Sequence, residues 1–349
     1  MNKTEQVATN GSFHRAPLLD LFRIILCIGV FVYHLTPERC SSGPLSVNGF
    51  LVMSGFLVGL SVFSKPKFDA ETFYRGKCWR LLPMAAMVFI AAVVFKLWIG
   101  EGMPNWTSAQ WVNFSLVSFV EHYDVPLWYL AVECILLLVV PFFVFLTRVR
   151  CCFELCLLCD FLFVWFLFAQ IPDNAPFGNG LYFSPLVRSW QFMAALLLGC
   201  YFAKGKLNLC VKHRGYKYLI LILFVLFLIA EVILMVLKQG ADLNYWNYTF
   251  EFDVLTTAFY LILVPGIYLL RIDLPRIWGA LLYWGAVLTY PVFLVHVVAR
   301  DVCARLIGKF FGVVPHINIV CATFVVSLIA AGCLLWLDVH LQQLRKCTR

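Results

Sequence analysis

The feature that most constrains this chain is a series of about ten apolar stretches, each long enough to cross a lipid bilayer and separated by short linkers. Their centres fall near Leu26, Gly55, Phe89, Leu136, Val164, Ala195, Val225, Leu261, Val287 and Val326. A bilayer core about 30 Å thick needs roughly 20 mostly apolar residues per helix. Within it every backbone polar group must be satisfied internally, so only helices and closed barrels can span. Barrel strands alternate with period two, and runs such as Leu219 to Val236 do not. The expected fold is therefore all-α, a polytopic bundle of about ten transmembrane helices. Charged residues are only 13% of the 349, too few to clothe a soluble globule whose composition is 62% hydrophobic.

The chain shows no internal repeat and no low-complexity segment. Its expected organisation is a polar tail over residues 1–16, one membrane domain over 17–340 and a short tail over 341–349. The first apolar stretch carries Arg23 and His34 and is followed by no small-residue cleavage site, so it reads as a retained helix rather than a signal peptide.

Lysine and arginine cluster in alternate linkers, as the positive-inside rule requires. They occur before the first span (Lys3, Arg15), after the second (Lys65, Lys67, Arg75, Lys77, Arg80), after the fourth (Arg148, Arg150) and after the sixth (Lys204 to Lys217). Arg271 and Arg276 follow the eighth span, and Arg345, Lys346 and Arg349 close the chain. This alternation predicts that both termini are cytoplasmic. Arg300, Arg305 and Lys309 break the pattern; read as an outward loop, they weaken the orientation there or act outside. The net charge of +8 marks topology and contact with membrane lipids, not nucleic-acid binding.

Most of the 14 cysteines lie in apolar spans, where cysteine acts as a small hydrophobe. Cys156 and Cys159 have a C-x-x-C spacing, but no second pair or histidine cluster accompanies them, so no metal site is expected. The longest outer linker holds Trp106, Trp111, Glu121, His122 and Asp124, residues suited to the headgroup level or to sugar stacking.

Ionisable groups inside a membrane are costly and are functional candidates by default. Arg23 and His34 stand eleven residues apart on the first span, about three turns and 16 Å along one face. Asp20 lies one turn before Arg23 and can pair with it. Both basic groups have a second reading, as interface residues snorkelling outward. Glu133 follows Trp128 and Tyr129 by about one turn; it is either a structural partner for an arginine such as Arg188 or a chemical group. Gly55 reads as a close helix approach, and its neighbour Ser54 stays open between packing and chemistry. Pro291, after Tyr290, frees a backbone carbonyl, and His296 is a core histidine or a catalytic one. Arg188, Gln191, Asp253 and Asp338 read as pairing or interface residues.

Several strings then fall into one order. Asp20-Leu21-Phe22-Arg23, then ten residues, then His34 resembles the first helix of the membrane acyltransferase-3 family. Val47 to Phe56 resembles that family's second helix, and Phe73-Tyr74-Arg75 with Lys77-Cys78-Trp79-Arg80 its basic cytoplasmic segment. Leu127 to Glu133 resembles its Trp-Tyr-Leu-x-x-Glu element, and Tyr290 to His296 its Tyr-Pro-x-x-Leu-x-His element. The departures are Lys77 where an arginine is usual, Asn48, Gln191, and Asp338-Val339-His340 near the end.

The resemblance implies a membrane O-acyltransferase, in a bacterial inner membrane, that moves an acetyl group from cytoplasmic acyl-CoA to an envelope carbohydrate. Lipopolysaccharide O-antigen, exopolysaccharide or another lipid-linked glycan are acceptors of that kind. No permanently bound cofactor is implied, only acetyl-CoA as donor. On this reading Arg75, Lys77 and Arg80 hold the CoA phosphates, and Arg23, counted with the catalytic groups, holds phosphate or orients the pantetheine. His34 acts as general base, or less directly as a covalent acyl carrier. Glu133 orients an imidazole or the acceptor, and Tyr129, Ser54 or His296 steadies the oxyanion. A transporter or flippase for a lipid-linked sugar or small anion would use the same ionisable groups, though the paired broken helices of many transporters are not evident. A non-enzymatic scaffold is the third reading, and it would need neither Arg23 nor His34.

Overall fold

A computed structural model describes residues 16–35, 42–65, 67–100, 127–149, 151–170, 184–205, 214–236, 250–270, 272, 274–311 and 316–347. Every regular element among them is an α-helix. In chain order these are α1 (Pro17–Leu35), α2 (Ser42–Phe63), α3 (Ala70–Trp98), α4 (Leu127–Leu138), α5 (Val140–Leu146) and α6 (Cys152–Ala169). Then follow α7 (Pro185–Ala203), α8 (Arg214–Val236), α9 (Phe250–Leu269), α10 (Arg276–Phe311) and α11 (His316–Cys347). The linker segment that carries Trp106 and Trp111 lies outside the described residues.

Nine stretches among the described residues are long and apolar enough to cross a membrane. The tenth expected span, around Val225, is α8, whose qualifying apolar run is the shorter Gly215–Ala230. One span is made of two helices: Leu127–Leu146 breaks at Val139, just before Pro141, which has no N–H to continue the ladder. The Tyr74 hydroxyl of α3 donates to the Leu138 carbonyl at this break, at 2.6 Å.

Polarity is distributed as lipid demands. Leu158, Leu162, Trp165 and Phe166 of α6 and Ile277, Trp278, Leu281 and Trp284 of α10 face outward. Asn48, Arg188, Gln191, Asp253 and Thr257 are buried between helices. A water-facing surface would reverse this order.

The centre of the bundle is α2, packed on α1, α7 and α9, while α10 lies across α1 and α11. The α2–α7 contact depends on glycine. A Cβ at Gly59 would stand 2.2 Å from the Leu196 carbonyl oxygen, and one at Gly199 2.3 Å from that of Phe56. A Cβ at Gly55 would meet the Phe192 carbonyl at 2.6 Å, as its reading as a close-approach residue anticipated. These obstacles are backbone, which cannot swing aside. Gly59→Leu is therefore expected to lower stability by about 1–3 kcal/mol or more, read as an earlier thermal loss of the monodisperse peak in detergent chromatography. An unchanged melting profile contradicts the close packing.

Arg300, Arg305 and Lys309 do not form a loop. They continue α10, which runs unbroken from Arg276 to Phe311. The Arg300 guanidinium donates to the His34 carbonyl at 2.8 Å, closing the C-terminal end of α1, and it pairs with Asp301 at 2.7 Å.

Candidate active site

Where α2 ends and α3 begins, the bundle opens into a cavity of about 780 Å³. Each wall is a helical stripe. From α2 come Phe50, Ser54, Leu57, Val58 and Ser61, at the three- and four-residue spacing that keeps side chains on one face, and Lys65 follows just beyond its end. From α3 come Phe73, Lys77, Arg80 and Met84, again one face. Asp69 starts this helix: its carboxylate accepts from the Glu71 amide at 3.1 Å and the Thr72 hydroxyl at 2.5 Å. The Thr72 hydrogen bond, first among its surroundings, holds that carboxyl below the ordinary range. Tyr129 and Glu133, one turn apart on α4, close a third side; α1 adds Arg23, α10 adds Thr289, Tyr290 and Phe293, and α11 adds Asp338.

Arg23, Lys65, Lys77 and Arg80 thus share one chamber with Glu133 and Asp338. Within it the Ser54 hydroxyl donates to Glu133 Oε1 at 2.6 Å. The Tyr290 hydroxyl donates to the Leu81 carbonyl at 2.6 Å, which ties α10 to α3. Among the described residues no hydrogen bond commits the Tyr129 hydroxyl, so of the phenols and alcohols expected here it is the donor at liberty.

Of the residues singled out in the sequence, Arg23, Ser54, Lys77, Arg80, Tyr129, Glu133 and Tyr290 meet in this cavity. Asp20, His34, Arg75, Trp128 and His296, also given a role there, do not line it. Arg75 is on the far side of α3, about 200° around from Phe73 at 3.6 residues per turn. It pairs instead with Glu71 at 3.5 Å, on the exposed side of the helix. Asp20 stays near the start of α1, and Trp128 is buried in the core with its ring edge-on to Tyr129. Glu133 does not partner Arg188, whose guanidinium bonds Asp253 at 3.1 Å and Asn48 at 2.7 Å.

His34 and His296 form a separate pair. Their ring centroids are 5.2 Å apart, with Tyr33 against the first and Phe31 against the second. His296 is buried, and its Nδ1 lies 2.8 Å from the Phe293 carbonyl. A carbonyl only accepts, so Nδ1 carries the proton and Nε2 of the neutral ring keeps a lone pair. The stripe from Arg23 to His34 is real but not open along its length: Cys27 contacts the Thr289 carbonyl and Phe31 packs on His296, both on α10. Glu133 therefore orients neither imidazole here; its partner is Ser54.

A family model described as an acyltransferase domain matches residues 17–336, nearly the whole membrane bundle. The chain belongs to this acyltransferase family. Relatives agree in kind. O-acetyltransferase OatA of Staphylococcus aureus (strain NCTC 8325 / PS 47) is 32% identical over 85 residues, 23% of this chain and 14% of that protein. Peptidoglycan O-acetyltransferase OatA of Listeria monocytogenes serovar 1/2a is 26% identical over 164 residues, 41% of this chain and 26% of that protein. The chain thus matches well under a third of the length of these relatives. No solved structure matches it.

Among the cavity residues left without a role of their own by the sequence are three that share the chamber with the reacting groups. Phe50, Thr289 and Phe293 are ordinary apolar-helix residues in composition. Their signal was positional: Phe50 lies one turn before Ser54 on α2, and Phe293 lies midway between Tyr290 and His296 on α10.

Proposed function

We propose that the chain is a membrane O-acetyltransferase carrying an acetyl group from cytoplasmic acetyl-CoA to a hydroxyl of an envelope carbohydrate. The observation that carries this reading is the convergence of Arg23, Lys77 and Arg80 with Tyr129 and the Ser54–Glu133 pair in one chamber. The chamber sits beside the linker after α2, which the charge pattern assigns to the cytoplasm, with both termini on that side. Clustered cations suit the phosphates of a nucleotide thioester, and 780 Å³ is of the size that small-molecule sites have. The names of the relatives support O-acetyl transfer as the chemistry. Lipopolysaccharide O-antigen and exopolysaccharide fit as acceptors, as does the peptidoglycan that the Listeria relative is named for.

The reaction balances without a cofactor. His34 takes the proton of the acceptor hydroxyl as its oxygen attacks the thioester carbonyl carbon. The new C–O bond forms, the C–S bond breaks, and the electron pair leaves on the CoA sulfur, which takes up the proton. Tyr129 steadies the oxyanion between these events, and Glu133 holds Ser54 and the local positive field in register.

The test uses purified full-length protein in detergent with labelled acetyl-CoA and a host glycan fraction. The expected result is label on glycan. Arg80→Ala is expected to raise the KM for acetyl-CoA by roughly tenfold, the worth of one charge-assisted contact, while Arg75→Ala leaves it near the wild-type value. Equal effects from both variants would place the donor elsewhere. A transporter or flippase gives no label on glycan at all.

A further inference from the structure

Neither His34 nor His296 lines the donor chamber. On the chamber wall three rings from three helices meet: Phe50 of α2, Tyr129 of α4 and Phe293 of α10. Their centroids are 6.2 Å apart for Phe50 and Tyr129, 6.1 Å for Phe50 and Phe293, and 5.7 Å for Tyr129 and Phe293. Tilted and edge-to-face rings at such separations are in van der Waals contact, so the triangle is closed. All three line the chamber. On its other side the Phe293 ring meets the His296 ring at 6.0 Å.

We infer that these three rings are the acyl-selectivity filter of the enzyme, admitting a two-carbon acyl group toward His34 and stopping longer chains. The inference rests on the transferase reading above and deepens it by naming what limits the donor. The phosphate-binding cations lie on the chamber side of the wall and the proposed base on the other. The thioester carbon therefore has to reach past the wall while CoA stays behind it. Swinging one ring aside opens a gap about one ring wide, enough for a methyl and a carbonyl. Each added methylene must displace further rings that pack against α2, α4 and α10. One methylene too many in an apolar slot is discriminated by roughly ten- to two-hundredfold. Phe293 is the hinge side of this wall, because its own carbonyl anchors His296 Nδ1 and so holds the backbone while the ring moves.

The experiment is a donor competition. Membranes containing the full chain are given equal acetyl-CoA and butyryl-CoA, with the host's own envelope glycans as acceptor, and mass spectrometry counts the two esters. The wild type is expected to place acetyl almost exclusively. Phe293→Ala is expected to raise the butyryl-to-acetyl ratio roughly tenfold or more, and Phe50→Leu to raise it by less. Phe293→Leu, which keeps most of the apolar volume, serves where the alanine protein does not insert. An unchanged ratio in variants that still transfer acetyl overturns the filter and leaves the transferase standing. Variants that insert normally yet transfer neither group overturn it too, since a widened filter leaves acetyl its path. No ester from the wild type with either donor overturns both readings.

Discussion

Asp253→Ala is expected to destabilise the bundle by about 3–5 kcal/mol, the usual consequence of stranding one half of a buried ion pair. Arg188 is 1% exposed and Asp253 fully buried. The guanidinium reaches Asp253 at 3.1 Å, Asn48 at 2.7 Å and Gln191 at 3.3 Å. Asn48 in turn donates to Asp253 at 3.0 Å and to Thr256 at 2.7 Å, and Gln191 donates to Thr257 at 2.8 Å. This network joins α2, α7 and α9 with no lipid-facing member. Deleting the carboxylate leaves a cation in the apolar interior, whereas deleting both charges leaves only a volume to fill. The double variant Arg188→Met with Asp253→Leu is therefore expected to recover most of the loss. Thermal melting of detergent-solubilised protein, in a cycle with both single variants, checks this. A double variant as unstable as the sum of the singles would show that the pair is not what holds these helices.

How much of this was legible in the sequence divides along a physical line. Composition and run length decide whether a segment can live in lipid, so the helical membrane bundle followed directly. Helical period decides which residues share a face, so Arg23 and His34 as one stripe followed, and so did Glu133 one turn beyond Tyr129. The same period already sets Arg75 opposite Lys77 and Arg80; reading the three as one charge cluster ignored the helix they sit on. What the period does not contain is the order of helices around the bundle. Arg188 and Asp253 are 65 residues apart, and each was visible as a polar residue in a span, yet nothing local says that α7 faces α9 rather than α4. The pairing of Glu133 with Ser54 instead of an arginine was hidden for the same reason. Arg300 was misplaced by its charge: a cation near the end of a span looks like a loop until its contact with the His34 carbonyl is seen.

The larger effect on activity is expected at His34. His34→Ala should lower acetyl transfer by about 10²–10⁴-fold, the range for losing a general base, with little change in the amount of folded protein. The geometry separates the two. The bond that secures this end of α1 runs from Arg300 to the backbone carbonyl of residue 34, not to its imidazole, so it survives truncation of the side chain. The ring itself is half-buried, and its aromatic neighbours among the described residues are Tyr33 and His296. His296→Ala makes the contrast. That ring is buried against Phe31 and Phe293 and is anchored at Nδ1, so its removal opens a void and is expected to cost stability together with activity. Counting acetyl groups on host glycans at matched protein levels reads the first effect, and melting reads the second. A His34→Ala protein that acetylates fully would move the base to the neighbouring imidazole, whose Nε2 is already left with its lone pair by the Phe293 carbonyl.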